Sequence, residues 1–287
     1  MKIGFSVFFK DSYTNKTTGV WGDEIVSKSL CRQLQLSGYD ADLYIKEELE
    51  KNPVDILIHT TYQVIHPYKV KKVANYNILW IQGITLEKNG AIPLDTIYEM
   101  CKPYYDLIIT SSRVLAKQKN IPFILPVTGN EDYVKVDSSY DLDVSFIGNI
   151  IKPYCTNVQY LQPLNSYKYG LFGGDLGKVS HRTALEIISG SKINLHYGFK
   201  ECQDWNLVTG RPFFHSMCES FTLMDKVPYF MEIFGNSMSF TEGGEDEVNL
   251  IKYYLENEEK RKKMAKESFD IVKSIEKDNL LKIIKGV

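Results

Sequence analysis

Short apolar segments alternate with amphipathic segments along the whole chain, and this alternation restricts the fold more than any other feature. Strands that alternate with helices build parallel sheets covered by helices. In the first half we predict strands at Lys2–Phe9, Ala41–Ile45, Asp55–Thr60, Asn77–Ile81, Leu107–Ser111 and Phe123–Pro126. In the second half we predict strands at Asp143–Gly148, Lys168–Phe172, Lys192–Tyr197, Phe221–Asp225 and Met238–Phe240. The pattern predicts an α/β protein with two parallel sheets.

The length of 287 residues suits two domains better than one. The stretch Val127–Tyr140 is polar and rich in turn-forming residues, so we place the domain linker there. We therefore expect an amino-terminal domain over residues 1–130 and a carboxyl-terminal domain over residues 131–287. The first helix is predicted from about Asp23 to Ser37, and Gly38 ends it.

Charge and cysteine usage limit the class of protein. A formal net charge of −2 argues against a nucleic-acid binder driven by bulk charge, so we expect no nucleic-acid partner. The basic run at residues 260–263 is interspersed with glutamates, which favours a solvated helix face over peripheral membrane contact. The apolar run at the amino terminus is too short for a membrane span. Five scattered cysteines without C-x-x-C spacing indicate reduced thiols and a cytoplasmic protein.

A glycine-rich turn separates the first predicted strand from the first predicted helix. Gly19 and Gly22 let the backbone approach a ligand closely, and the N–H groups of a helix start favour a phosphate. Asp23 and Glu24 can cap the helix themselves. The spacing is not G-x-G-x-x-G, so the dinucleotide fingerprint is absent, and a plain turn with a cap is the alternative.

Two further predicted strands carry polar residues. The strand Asp143–Gly148 ends in a tight turn, and Lys152 follows, either as a pyrophosphate partner or as a solvated loop lysine. The strand Lys192–Tyr197 has Lys192 at its start and His196 near its end. His196 can reach a ligand there, or it can bond to a backbone carbonyl as a structural histidine.

The segment from Gly210 to Asp225 opens with an arginine and an aromatic pair and then enters an apolar strand. It joins a helix start to the carboxyl end of a strand, where α/β folds hold anions and nucleotides. A guanidinium can hold a phosphate through two parallel hydrogen bonds, which makes Arg211 the preferred diphosphate partner. An arginine that pairs with a nearby acid is the structural alternative.

These segments resemble the signatures of retaining GT-B glycosyltransferases of the spore-coat and group 1-like types. The run from Gly19 to Leu43 looks like their amino-terminal glycine loop and first helix, and Gly210–Asp225 looks like their donor-binding segment. The resemblance implies two Rossmann-like domains that face each other across a cleft. It places a nucleotide-sugar in the carboxyl-terminal domain and an acceptor on the amino-terminal domain. The terminal helix is expected to cross back to the first domain.

The resemblance also implies a set of site residues. The donor contacts that it implies are Gly19, Gly22, Gly148, Lys152, Lys192, His196, Arg211, Phe214, His215 and Glu219. Where the family has a glutamate for the ribose, this chain has His215, and Glu219 is the other candidate. Many relatives place a histidine or aspartate after the strand that ends at Ile81, whereas this chain has Gln82. His59 is the substitute candidate for catalysis, with a structural histidine as the alternative.

The expected activity is transfer of a sugar from a UDP- or GDP-sugar to a glycan, lipid or protein acceptor, with retention of configuration. No metal or cofactor is expected, because the D-x-D patterns at residues 40–42 and 141–143 stand at strand starts, away from the ligand edge. Two alternatives remain open from the sequence. One is a nucleotide-sugar epimerase or hydrolase of the same architecture, and the other is a non-catalytic subunit that binds nucleotide-sugars.

Overall fold

The computed structural model describes residues 1–8, 10, 22–49, 51–61, 63, 65, 67–83, 85–87, 90–127, 133–148, 167–173, 179–198, 200–275 and 279–286. Within these residues the chain forms two five-stranded parallel sheets, one in each half, and a small antiparallel hairpin. The two large sheets are flanked by helices, as expected for Rossmann-like domains.

The first sheet has the strand order β2-β1-β3-β4-β7. Its strands are β1 (Lys2–Ser6), β2 (Asp40–Tyr44), β3 (Val54–His59), β4 (Ala74–Ile81) and β7 (Leu107–Thr110). The hairpin strands β5 (Thr85–Glu87) and β6 (Gly90–Ile92) lie between β4 and β7 along the chain. The helices are α1 (Gly22–Leu36), α2 (Lys46–Leu49), α3 (Leu94–Cys101) and α4 (Arg113–Lys119). The strands are mostly apolar because a parallel sheet is buried on both faces.

The second sheet has the strand order β12-β11-β10-β8-β9. Its strands are β8 (Leu142–Ile147), β9 (Tyr169–Phe172), β10 (Ser191–His196), β11 (Thr222–Asp225) and β12 (Ser239–Thr241). Its first helices are α5 (His181–Ser189), α6 (Lys200–Asp204), α7 (Arg211–Met217) and α8 (Pro228–Phe234). The last helices are α9 (Gly244–Glu256), α10 (Glu258–Ser274) and α11 (Asn279–Lys285).

Ten of the eleven predicted strands are present within three residues of their predicted bounds. The prediction of a strand at Phe123–Pro126 is wrong, since Phe123 makes only an isolated bridge to Thr110. Pro122 and Pro126 lack the backbone N–H that a continuous ladder needs, which explains why the pairing stops there.

The apolar core continues from one half of the chain into the other. One buried cluster runs from Ile25 of α1 to Phe230 of α8 and on to Leu280 and Ile284 of α11. None of the described helices is both long enough and apolar enough to span a bilayer.

Candidate functional site

Arg211 and Gly148 lie in direct contact at the carboxyl edge of the second sheet. Gly148 directly follows β8, and Arg211 is the first residue of α7. A Cβ added to Gly148 would lie 3.0 Å from Nη1 of Arg211 and 2.8 Å from Cζ of Phe146. The amide of Gly148 donates to the carbonyl of Phe172 at 2.8 Å, which fixes this backbone against the neighbouring strand. A guanidinium over a glycine backbone at this edge is suited to an anionic ligand.

Two buried histidines accompany Arg211. His196 ends β10 and is 5% exposed, and His215 lies one turn into α7 and is 1% exposed. Nε2 of His196 is 3.2 Å from Oγ1 of Thr209. Burial, and then the charge of Arg211, lower the pKa of His215 to about 3. Burial, Arg211 and His215 together hold the pKa of His196 well below its usual range. Both rings are therefore neutral at pH 7, and Arg211 supplies the positive charge of this group.

Phe214 lies inside the core and not at an open surface. Its ring stacks on Tyr133 with a centroid distance of 4.1 Å and an interplanar angle of 6°. The ring also lies close to Gly210, where an added Cβ would be 2.5 Å from Cζ of Phe214. One face of the ring is therefore covered by Tyr133, and the ring packs against the residue that precedes α7.

The structure separates Lys192 and Glu219 from Arg211. Lys192 stands at the amino-terminal end of β10, where Nζ pairs with Oδ1 of Asp143 at 2.6 Å. Glu219 follows the carboxyl-terminal end of α7 with a φ of 48°, and its carboxylate is 4.0 Å from Nζ of Lys266. Parallel strands place their starts and ends at opposite edges of a sheet, so Lys192 cannot share the edge that holds Arg211.

His59 lies in the interior of the first sheet. It is 0% exposed, with Nδ1 3.3 Å from Oγ of Ser6 and Nε2 3.3 Å from Oδ1 of Asn77. Burial lowers its pKa to about 4, against the smaller effect of the Asn77 contact. Tyr105 packs edge-on against the ring at 5.1 Å. With both nitrogens engaged and no exposed surface, this environment favours the structural alternative that the sequence left open.

Gln82 directly follows β4 at the carboxyl edge of the first sheet and is partly buried. Among the residues that the structure describes, its buried Nε2 has no hydrogen-bond partner. Gly22 is the first residue of α1, one residue before the predicted helix start. Gly19 and Lys152 lie outside the described residues.

Two buried acids, Asp225 and Glu247, are bonded to the two residues that directly follow β10. Tyr197 donates a short hydrogen bond to Oε1 of Glu247, and Gly198 donates its amide to Oδ2 of Asp225 at 3.0 Å. Burial raises the pKa of Glu247 to about 7; the charges of Asp225 and Asp246 add to this, and the hydrogen bond from Tyr197 opposes it. Glu247 stands among three acids at the start of α9, a pattern typical of solvated helix starts, so no local signal marks its burial.

Solved structures of similar shape span nearly the whole chain. They include Anabaena HepE in complex with UDP and glucose, at 11% identity over 100% of both chains with a TM-score of 0.64. Sucrose-phosphate synthase from Thermosynechococcus elongatus is 9% identical over 99% of this chain and 97% of its own, with a TM-score of 0.68. The protein has the GT-B fold. An α-glucosyltransferase in complex with UDP and a 13-mer DNA shares this GT-B architecture, at 10% identity over 99% and 98% of the chains and a TM-score of 0.65.

A family model adds a sequence match to the GT-B assignment. The model described as "Glycosyl transferase-like" matches residues 136–275, which contain the second sheet, Gly148 and Arg211. A comparison with curated protein sequences finds no match. The family match and the GT-B fold together support a sugar transferase. The two Rossmann-like domains that the sequence predicted are confirmed.

Proposed function

We propose that this GT-B protein transfers a sugar from a nucleoside diphosphate sugar to a glycan, lipid or protein acceptor. The contact between Arg211 and the backbone of Gly148 carries the proposal. The two residues come from different elements, yet they meet at the sheet edge where α/β folds bind nucleotides. The same segment lies within the match to the glycosyltransferase family model.

In this proposal Arg211 binds the diphosphate and stabilises the negative charge that develops on it as the bond to the sugar breaks. The side chain is suited to this task because a guanidinium remains protonated at any physiological pH. The neighbouring His196 and His215 have lowered pKa values and add no charge, so the guanidinium is the positive group that the donor meets. Retention of configuration and independence from metal are part of the proposal.

UDP is the first nucleotide to test, since HepE and the α-glucosyltransferase are described in complex with UDP. GDP-sugars are the second candidate. We place the reaction in the cytoplasm, which the cysteines support, because none of the four described ones forms a disulfide.

The proposal is tested by calorimetry with UDP, GDP, CMP and dTDP, followed by incubation with the sugar derivative of the nucleotide that binds. We expect one nucleotide to bind and its sugar donor to be hydrolysed slowly without acceptor. Formation of an epimerised donor would instead identify an epimerase. Binding without turnover in the presence of an acceptor panel would identify a non-catalytic subunit, and failure to bind any nucleotide would contradict a donor site altogether.

Substitution of Gly148 by alanine is expected to weaken nucleotide binding by about tenfold while the protein remains folded. The new methyl group would lie 2.8 Å from Cζ of Phe146 and 3.0 Å from Nη1 of Arg211, so the ring and the guanidinium must both shift. Gly83 supplies a matched control, since a Cβ there meets no atom within 4 Å. We expect Gly83→Ala to keep wild-type affinity in the same titration. Equal affinities for the two variants would contradict the placement of the anion beside Gly148.

A further inference from the structure

A segment of the second half of the chain is bonded to the end of the first sheet. We call residues 205–209 the strap. Its hydrogen bonds to the amino-terminal half come from backbone groups and from the side chain of one serine. Oγ of Ser112 donates to the carbonyl of Trp205 at 2.6 Å, and the amide of Val208 donates to the carbonyl of Ser111 at 2.9 Å. The amide of Arg113 donates to the carbonyl of Asn206 at 3.3 Å.

The strap is also packed into the amino-terminal half. Leu207 is 1% exposed and Val208 is 0% exposed. Trp205 and Leu207 belong to the apolar cluster that contains Leu79 and Leu115 of the first half. Buried apolar contacts of this kind and paired backbone groups restrict local opening of a segment. The strap therefore moves with the first sheet.

The other end of the strap enters the candidate donor site. Thr209, its last residue, lies 3.2 Å from Nε2 of His196 through Oγ1. One residue separates Thr209 from Arg211, which begins α7. Asn206 has a φ of 43°, and its Oδ1 accepts the amide of Tyr229 at 2.9 Å, so α8 also holds the strap.

We propose that the strap makes the amino-terminal half position the donor-binding arginine, and that Ser112 is the positioning residue. The inference rests on the proposed function, since it concerns the same donor site. Ser112 reaches no ligand itself: it caps α4 by accepting the amide of Leu115 at 3.1 Å, and it donates to Trp205. Its hydroxyl is the one described side-chain donor from the first half that bonds to the strap backbone. Through Thr209 and Gly210 the strap fixes where the guanidinium of Arg211 stands.

The test measures UDP affinity and amide exchange of the strap in the full-length protein. We expect Ser112→Ala to weaken UDP binding by about tenfold and to speed exchange of the Val208 amide, because the Trp205 carbonyl loses its donor. Ser112→Thr keeps the hydroxyl and should restore both quantities. Ser180→Ala is the matched control, because Ser180 caps α5 by accepting the amide of Thr183 at 3.2 Å. Because both variants remove a helix cap, Ser180→Ala should lower the melting temperature about as much as Ser112→Ala does. Ser180→Ala should leave UDP affinity unchanged.

Wild-type UDP affinity in Ser112→Ala, with faster exchange at Val208, would overturn the inference, since a loosened strap would then not affect Arg211. Should Ser112→Ala fail to fold, Asn206→Ala replaces it and removes the acceptor for the Tyr229 amide on the α8 side. The same loss of affinity is expected there. If the unsubstituted protein binds none of the four nucleotides, the proposed function fails, and the inference fails with it because no donor site remains to be positioned.

Discussion

Replacement of Arg211 by alanine is expected to weaken binding of the nucleoside diphosphate by about a hundredfold. A hydrogen bond to a charged group is worth about 1.5–3 kcal/mol, and a guanidinium holds a phosphate through two of them. Isothermal titration of the nucleotide that binds the unsubstituted protein measures the loss. The same variant should raise the pKa of His215 above its value of about 3, because the nearby positive charge is removed. NMR chemical shifts of the His215 ring, followed as a function of pH, measure that second change.

Arg182 offers a control for the loss of one positive charge. Its side chain is 65% exposed and pairs with Glu186 on the same helix, α5, at 2.8 Å. Arg182→Ala should therefore bind the nucleotide as tightly as the unsubstituted protein. If Arg211→Ala and Arg182→Ala lose the same affinity, the effect is one of net charge and Arg211 has no specific role. Unchanged affinity in Arg211→Ala removes the arginine from the donor site.

Replacement of Glu247 by glutamine is expected to remove a pH-dependent loss of stability. The pKa of Glu247 is raised from its ordinary 4.5 to about 7 in the folded protein. The folded state therefore holds this proton more tightly than the unfolded state, so stability falls as the pH rises from about 4.5 to about 7. The shift corresponds to about 3 kcal/mol at pH 8. Urea unfolding at pH 5, 6, 7 and 8 should show the unsubstituted protein losing that much relative to Glu247→Gln.

Buried histidines change stability with pH in the opposite direction to Glu247. The informative quantity is therefore the difference in unfolding free energy between Glu247→Gln and the unsubstituted protein. The pKa values of His59 and His215 are lowered to about 4 and about 3, so the unfolded state binds their protons more tightly and stability rises with pH up to about 6.5. This contribution is common to both proteins and cancels. Glu245→Gln, an exposed acid in the same turn of α9, should keep the wild-type profile. If the unfolding free energies of Glu247→Gln and the unsubstituted protein change with pH in parallel, the result would contradict a buried carboxyl that titrates near neutrality.

The strands could be predicted from the sequence because parallel strands are buried on both faces and appear as short apolar runs. Helix α5 begins after Ser180, a serine whose side chain accepts the amide of Thr183 and so forms a recognisable cap. The same reasoning brought Gly148, His196 and Arg211 to one edge, since they follow a strand, end a strand and begin a helix, respectively. Strand direction explains why Lys192 is absent from that edge.

Other parts of the site could not be predicted because their contacts join distant positions in the chain. Ser112 and Trp205 are 93 residues apart, and no local pattern connects a helix cap with a carbonyl so far away. Phe214 was predicted to contact the donor, yet its ring stacks on Tyr133, which belongs to the segment predicted as the domain linker. The burial of Glu247 likewise depends on Tyr197, which lies 50 residues earlier.

The strap imposes an order on the biosynthesis of the protein. Cys202, Trp205 and Leu207 belong to an apolar cluster whose other members all precede residue 122. When the ribosome has completed β7, the last strand of the first sheet, it still has about 90 residues to add before these side chains exist. Until then the nascent amino-terminal half exposes the apolar surface that they cover, a state that chaperones recognise. A fragment that stops within the predicted linker, Val127–Tyr140, keeps this exposed surface permanently, so it is expected to aggregate when expressed alone.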